Sequence, residues 1–288
     1  MKTTSLCLVL WLYLTAAPGF AADGGTFTIV EGSSRVLRDT KWYKLVAGAR
    51  IQEGDIIDAA DKTQVQIELT KGGTLNLVGP ATFFAAAVPM RNDQLAGTLE
   101  FALPRGWLKL AAKTADAGVR LRSPVAVLNL HDGVVVMHIE PNSMEMFVES
   151  GAVNIAESSA GGKDGATHDA KSGEYWARSA DRPLSTERRA PSPFVAAMPH
   201  HLIDPLPNIA ARYKDVRVQL VPDRDITYAE ATPWLNGPYR KSFLKRFGPR
   251  LQDREFRGSV EANIAHYPEW DRVLHPEKYL PKSPAPAT

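Results

Sequence analysis

Seven basic side chains crowd one stretch of the C-terminal third. Between residues 239 and 257, Arg240, Lys241, Lys245, Arg246, Arg250, Arg254 and Arg257 stand against Asp253 and Glu255 alone, a local charge of +5. Such a density suits an anionic partner: peptidoglycan, lipopolysaccharide phosphates, an acidic polysaccharide or a protein with an acidic face. The competing reading is a solvated helix face, which is what charge runs usually are.

The remaining residues able to do chemistry form no catalytic pattern. His131-Asp132 precedes Gly133 between two apolar runs, where an Asp-Gly pair reads as a hairpin turn. General acid-base work would need an oriented partner and a pocket around that pair. His138 has no second histidine or cysteine at a metal-ligand spacing. Glu140, Glu145, Glu149 and Glu157 are plentiful acids without a motif, whereas glycan hydrolysis needs two carboxylates facing each other across a cleft. Trp42 and Trp107 could stack on a sugar ring, but on β-strands they read as core anchors. Asp55, after Gly54, is read as bonding the backbone of its own turn. The expectation is a protein that is not an enzyme and holds neither cofactor nor metal.

The elements that must position these residues are mainly strands. Thr63-Gln-Val-Gln-Ile-Glu-Leu alternates strictly, so Val65, Ile67 and Leu69 are expected to face a core and Gln64, Gln66 and Glu68 water. Gly72-Gly73 and Gly54-Asp55 punctuate the neighbouring runs as tight turns. Thr26 to Val30, Arg35 to Arg38, Lys41 to Leu45, Thr82 to Phe84, Thr98 to Leu103, Val119 to Arg122, Gly133 to Ile139 and Met144 to Val148 repeat the pattern. Short strands between glycines predict a sandwich, barrel or irregular β-solenoid.

Within this region the order Gly48, Ile51, Gly54-Asp55, Ile56-Ile57, Val65 to Leu69, Gly72-Gly73-Thr74 and Leu75-Asn-Leu77 resembles the FecR domain family. Gly97 to Phe101, Gly106 to Leu110, the Ser123-Pro124 pair, Phe147 to Ile155 and Lys171-Ser-Gly-Glu174 continue the resemblance over residues 26–180. It implies an irregular stack of β-hairpins with a solenoid-like course. The family includes regulators that relay a signal from an outer-membrane transporter to a cytoplasmic sigma factor. Such regulators need a cytoplasmic segment and a membrane span.

Here Lys2, the apolar run Leu6 to Ala17 and the small residues Ala21-Ala22 have the layout of a cleaved secretory signal, so residues 1–22 are expected to be removed. Cys7, the single cysteine, would leave with it. A mature chain would then have no disulfide and no thiolate metal site. The full chain carries a net charge of only +2. That balance gives no general attraction to nucleic acid or anionic lipid.

Past the β-region, residues 157–166 read as a glycine-rich loop and 181–193 as a linker. Residues 194–280 read as a Pro-rich helical segment. Phe194 to Met198 and Ile209 to Tyr213 are expected as short helices, and Tyr239, Phe243 and Phe247 as the stripe of a longer one. Asp253 is the expected N-cap of the next helix, with Phe256, Val260, Ile264 and Tyr267 as its stripe. Trp234, Trp270 and Tyr279 are read as anchors of an extended tail, and residues 281–288 as a frayed end. The functional expectation is a non-catalytic periplasmic protein-binding or scaffold module, with an envelope protein or anionic glycan as partner and no nucleic acid. A contact-dependent signalling component and a polysaccharide-binding protein are the alternatives.

Overall fold

The computed structural model describes residues 24–70, 72–88, 97–113, 118–158, 164–216 and 218–279. The expected signal peptide, the frayed end and residues 159–163 of the glycine-rich loop lie outside them. The protein is mainly β, with an open mixed sheet and a C-terminal helical segment.

Among the described residues fourteen strands precede the first helix. They are β1 (Gly25–Glu31), β2 (Ser34–Arg38), β3 (Lys41–Lys44), β4 (Arg50–Ile51), β5 (Ile56–Ala59), β6 (Gln64–Leu69), β7 (Thr74–Ala87), β8 (Leu99–Lys113), β9 (Val119–Arg122), β10 (Ala126–Glu140), β11 (Ser143–Ser158), β12 (Asp164–Lys171), β13 (Tyr175–Ser179) and β14 (Arg182–Glu187). A fifteenth, β15 (Pro222–Asp225), returns from the C-terminal segment to pair with β3. The main path runs β14-β13-β11-β10-β9-β8-β7-β5-β2-β3-β15, with β1, β4, β6 and β12 paired off it. Pairings are antiparallel except β8 with β9.

Several expected short strands are halves of long ones. Asp132-Gly133 is not a hairpin turn: it lies within the 15-residue β10, at a shift of register between Leu130 and Gly133. Gly133 pairs with Gly151 across the ladder, both at positive φ, and a Cβ on either would come within 2.4 Å of a carbonyl oxygen on the other strand. Glycine there serves close backbone approach at a bulge, which sequence alone does not distinguish from a turn. Gly72 and Gly54 do turn the chain at positive φ, as expected. Residues 182–187, read as linker, pair with β13, and Leu184 packs on the core.

Two faces of the sheet are buried. The inner core collects Phe27, Val36, Ile57, Ile67, Leu77, Phe83, Phe101, Leu110 and Met146 among others. A second core takes the neighbouring residue of each apolar pair: Leu37 beside Val36, Ile56 beside Ile57 and Phe84 beside Phe83. Register aligns Trp42, Leu37, Ile56, Phe84 and Ala102 in one row across β3, β2, β5, β7 and β8.

The C-terminal helices cover this row. They are α2 (Tyr228–Leu235), α3 (Arg240–Phe247), α4 (Arg254–Ala262) and α5 (Pro268–Leu274), while the earlier α1 (Ser192–Ala197) packs its Phe194 in a separate cluster with Trp107 and Tyr175. Phe243 and Phe247 of α3, and Phe256 and Val260 of α4, are buried against it, as the stripes predicted. Asp253 caps α4 by accepting from the Phe256 N–H at 2.9 Å. Trp234 and Trp270, expected on an extended tail, sit on α2 and α5; the Trp270 indole donates to the Leu244 carbonyl.

Residues 198–216 form a strap over the polar side of β6, β7 and β8. Gln64 and Gln66 are therefore buried rather than solvated. Gln66 donates to the Pro207 carbonyl, and Asn76 to the His201 carbonyl. Glu68 accepts from the N–H groups of Ile209 and Ala210. Lys109, only 2% exposed, donates to the Leu202 and Asp204 carbonyls and pairs with Glu149 at 3.0 Å. A buried polar group is costly unless bonded, so each side chain here fixes the strap's path.

Lys109→Met is accordingly expected to destabilise the fold by about 3 kcal/mol, since strap carbonyls and Glu149 lose their shared donor. Urea denaturation would measure the loss, and limited trypsin digestion should cut faster at Arg212 and Lys214. An unchanged urea midpoint would show that the strap does not depend on Lys109.

Candidate functional site

The basic cluster is split by the fold. Arg246 reaches from α3 into the β-region and donates to the carbonyls of Leu37, Asp39 and Gly54. Burial pulls its guanidinium down to about 10, against the opposing pull of Asp39 and Asp55. Arg240 bonds the Leu235 and His266 carbonyls and Glu269. Arg250 lies between Asp225 and Asp253, over the Phe256 ring. These three arginines therefore hold the helices to each other and to the sheet. Arg257 pairs with Glu261 within α4, while Lys241, Lys245 and Arg254 are exposed.

Under α3, the Gly54-Asp55 turn carries a second junction. Asp55 is fully buried; it accepts from its own turn at Gln52 N–H, as expected, and takes both arms of Arg38 at 2.8 and 2.9 Å.

Where α2 and the α2–α3 turn meet the sheet, a groove of about 590 Å³ opens. That volume is in the range of small-ligand pockets. Its walls are largely apolar: Trp42, Ile56 and Ala102 from strands, Trp234 and Tyr239 from the helical segment, and proline rings at 104, 124, 141, 233 and 238. Phe84 braces both helical aromatics from behind, with ring centroids 5.5 Å from Trp234 and 4.9 Å from Tyr239. Three arginines, Arg35, Arg105 and Arg122, two acids, Asp58 and Glu230, and Thr82, Ser123 and Gly237 complete the lining.

The acids are engaged. Nη2 of Arg35 lies 2.9 Å from Asp58 and 3.0 Å from Glu230, and the Arg35 guanidinium stacks 4.0 Å over Trp42. Glu230 also takes a two-pronged bond from Arg224, the Trp42 indole N–H, and the N–H and hydroxyl of Thr227. Burial pushes the Glu230 carboxyl up, but the bonds from Arg224, Thr227 and Trp42 outweigh it and hold the group far below the ordinary carboxylate range. Asp58 and Glu230 share one guanidinium nitrogen, and glycosidase chemistry also uses a pair of carboxyl groups. A glycosidase acid must stay protonated, and Glu230 is driven the other way.

The acids singled out in the sequence stand elsewhere. Glu145 accepts from the Tyr175 hydroxyl at 2.6 Å and pairs with His138, Glu149 holds Lys109, and Glu157 holds Arg178. His138 stacks on Trp107, and Phe194 of α1 closes over Trp107 and Tyr175. Trp42 and Trp107 are thus buried anchors, 4% and 9% exposed. Among the described residues no cluster of three or more His, Cys, Asp or Glu could hold a metal ion, and no helix is long and apolar enough to cross a membrane. Glu230 was missed, although Thr227-Tyr-Ala-Glu230 spells a helix-capping box, and the structure shows both of its reciprocal bonds.

No family model matches the chain, and no curated protein matches it. Among solved structures, two crystal structures from Parabacteroides distasonis ATCC 8503, each described as a "putative anti-sigma factor", are similar in part. Both are 11% identical over 46% of this chain, with TM-scores of 0.38 and 0.39. The match spans 59% of their own length. A likeness at that level carries no statement about activity.

Two expectations follow. Because the folded Glu230 titrates below its ordinary value of 4.5, its contribution to stability is complete above that pH and is lost progressively as pH falls below it toward the lower folded-state value. Thermal melts from pH 7 to 3 should therefore fall less steeply for Glu230→Gln than for the wild type; parallel curves would contradict the assignment. In urea, Arg246→Ala should cost about 3 kcal/mol. Lys241→Ala should stay within about 0.5 kcal/mol of wild type.

Proposed function

We propose that this chain is a non-catalytic FecR-type protein of the cell envelope, exported to the periplasm, whose groove between the sheet and α2 is a recognition site for another protein. The observation that carries the reading is the groove's chemistry: aromatic and proline walls, with both acids neutralised by arginine, offer a surface for binding and no free acid-base pair for turnover. The order of glycine turns and apolar pairs from Gly48 to Leu77 supports the FecR assignment. The exposed Lys241, Lys245 and Arg254, with Arg257 beside them, form the surface proposed to dock on an anionic envelope component.

Site-specific photocrosslinking in cells tests the first part. A benzophenone side chain at Arg105 or Pro238 should give a protein adduct, and one at Lys171 on β12 should not. Adducts from Lys171 alone, or from no position, would sink the groove assignment. For the second part, Lys241→Gln with Lys245→Gln and Arg254→Gln should release the protein from washed envelope fractions at lower salt than wild type. An unchanged release profile would return these residues to a solvated helix face.

A further inference from the structure

Resting on the reading of the groove as a protein-recognition site, we infer that its occupant is an extended, apolar or proline-containing peptide segment bearing an acidic residue, read by Arg105 and Arg122.

Charge comes first. Of the three arginines in the lining, Arg35 is committed to Asp58 and Glu230, and Glu230 is further covered by Arg224. Arg105 is held more loosely: its side chain is 54% exposed, and among the described residues it makes a long 4.0 Å ion pair with Asp58 and donates to the Thr82 hydroxyl at 3.3 Å. Arg122, half-buried at the end of β9, reaches the Tyr239 hydroxyl. The acids in the lining are spent on Arg35, so the charge left to a ligand is positive. A carboxylate meeting Arg105 and Arg122 would gain charge-assisted hydrogen bonds in a partly desolvated setting.

The walls then separate a peptide from a sugar. A polysaccharide presents a hydroxyl on nearly every carbon and needs a matching set of donors and acceptors. Here the uncharged polar groups are the hydroxyls of Thr82, Ser123 and Tyr239 and the indoles of Trp42 and Trp234, of which the Trp42 N–H is given to Glu230 and the Tyr239 hydroxyl meets Arg122. The Ser123 hydroxyl is already spent within its own turn, accepting from Ala126 N–H and donating to the Ala126 carbonyl. Sugar hydroxyls buried against five proline rings and two tryptophans would lose water without replacement bonds. Prolines and aliphatic side chains lose nothing there, and aromatic-lined grooves are a recurring seat for extended proline-rich segments. The aromatic walls are also fixed in advance: Trp234 and Tyr239 pack on Phe84, and Trp42 is tied to Glu230 and Arg35. A preorganised groove spares the ordering cost of binding.

The test is selection of a random dodecapeptide phage library on the immobilised full chain. Enriched peptides would be synthesised and titrated by fluorescence anisotropy against wild type, Arg105→Glu with Arg122→Glu, and Thr82→Trp, which fills the groove from β7. Circular dichroism melts check that both variants fold, and Thr82→Phe replaces Thr82→Trp if that variant does not. The expected result is a consensus pairing Asp or Glu with Pro or aliphatic residues. Affinity should weaken with rising salt, fall by about tenfold or more in the double charge reversal, and vanish on groove filling. Neutral or basic peptides that groove filling abolishes would overturn the inferred chemistry while leaving the groove as the recognition site. Peptides indifferent to groove filling, or no enrichment, would overturn both. Groove-dependent binding of an oligogalacturonate probe without peptide enrichment would replace the peptide by an acidic glycan.

Discussion

The outer apolar row of the sheet, Trp42, Leu37, Ile56, Phe84 and Ala102, has to be covered, and much of the remaining architecture answers that constraint. Left in water, each large side chain in it would forfeit about 1.5 to 3 kcal/mol of transfer free energy. Phe84 alone touches Trp234, Tyr239 and Phe243, so the helices after residue 226 share their core with the β-region. Arg246 fixes the angle of that cover by bonding three carbonyls around β2 and the Gly54 turn. β15 extends the sheet beyond β3 with a strand drawn from the same C-terminal segment.

The groove is a product of this covering. α2 enters through the Thr227 to Glu230 capping box, and the Glu230 carboxylate that completes the box also receives Arg35, Arg224 and the Trp42 indole. One side chain thus caps a helix, ties it to β2 and β3, and spends an acid that would otherwise balance the groove's arginines. The same junction that stabilises the cover leaves the groove positive. Under the strap, Lys109 shows a different solution: a buried cation satisfied by carbonyls of that irregular segment and by Glu149. Buried charges persist in both places because each is bonded on several sides.

The strands, the glycine turns at 54 and 72, the stripe of α3 and the Asp253 cap were legible because each depends on neighbours within a few residues. The neighbouring pairs Val36-Leu37, Ile56-Ile57 and Phe83-Phe84 also carried a message: apolar residues that fail to alternate mark a strand buried on both faces. Gln64, Gln66 and Glu68 gave the opposite and misleading signal. Their alternation describes a solvated face, and nothing within the strand announces a strap arriving from about 140 residues later.

The amino-acid sequence by itself determined the mainly β class, the placing of the C-terminal helices and the local charge of +5, since periodicity, turn chemistry and composition are written in short windows. Which of those charges is a surface and which a fastener was decided only in three dimensions. Arg240, Arg246 and Arg250 are interleaved with Lys241, Lys245 and Arg254 along the chain, but helical geometry turns the first set toward carbonyls and acids and leaves the second set exposed. The groove likewise exists only where β2, β3, β5, β7, β8, β9 and α2 converge, because its lining spans residues 35 to 239 and no short window contains it.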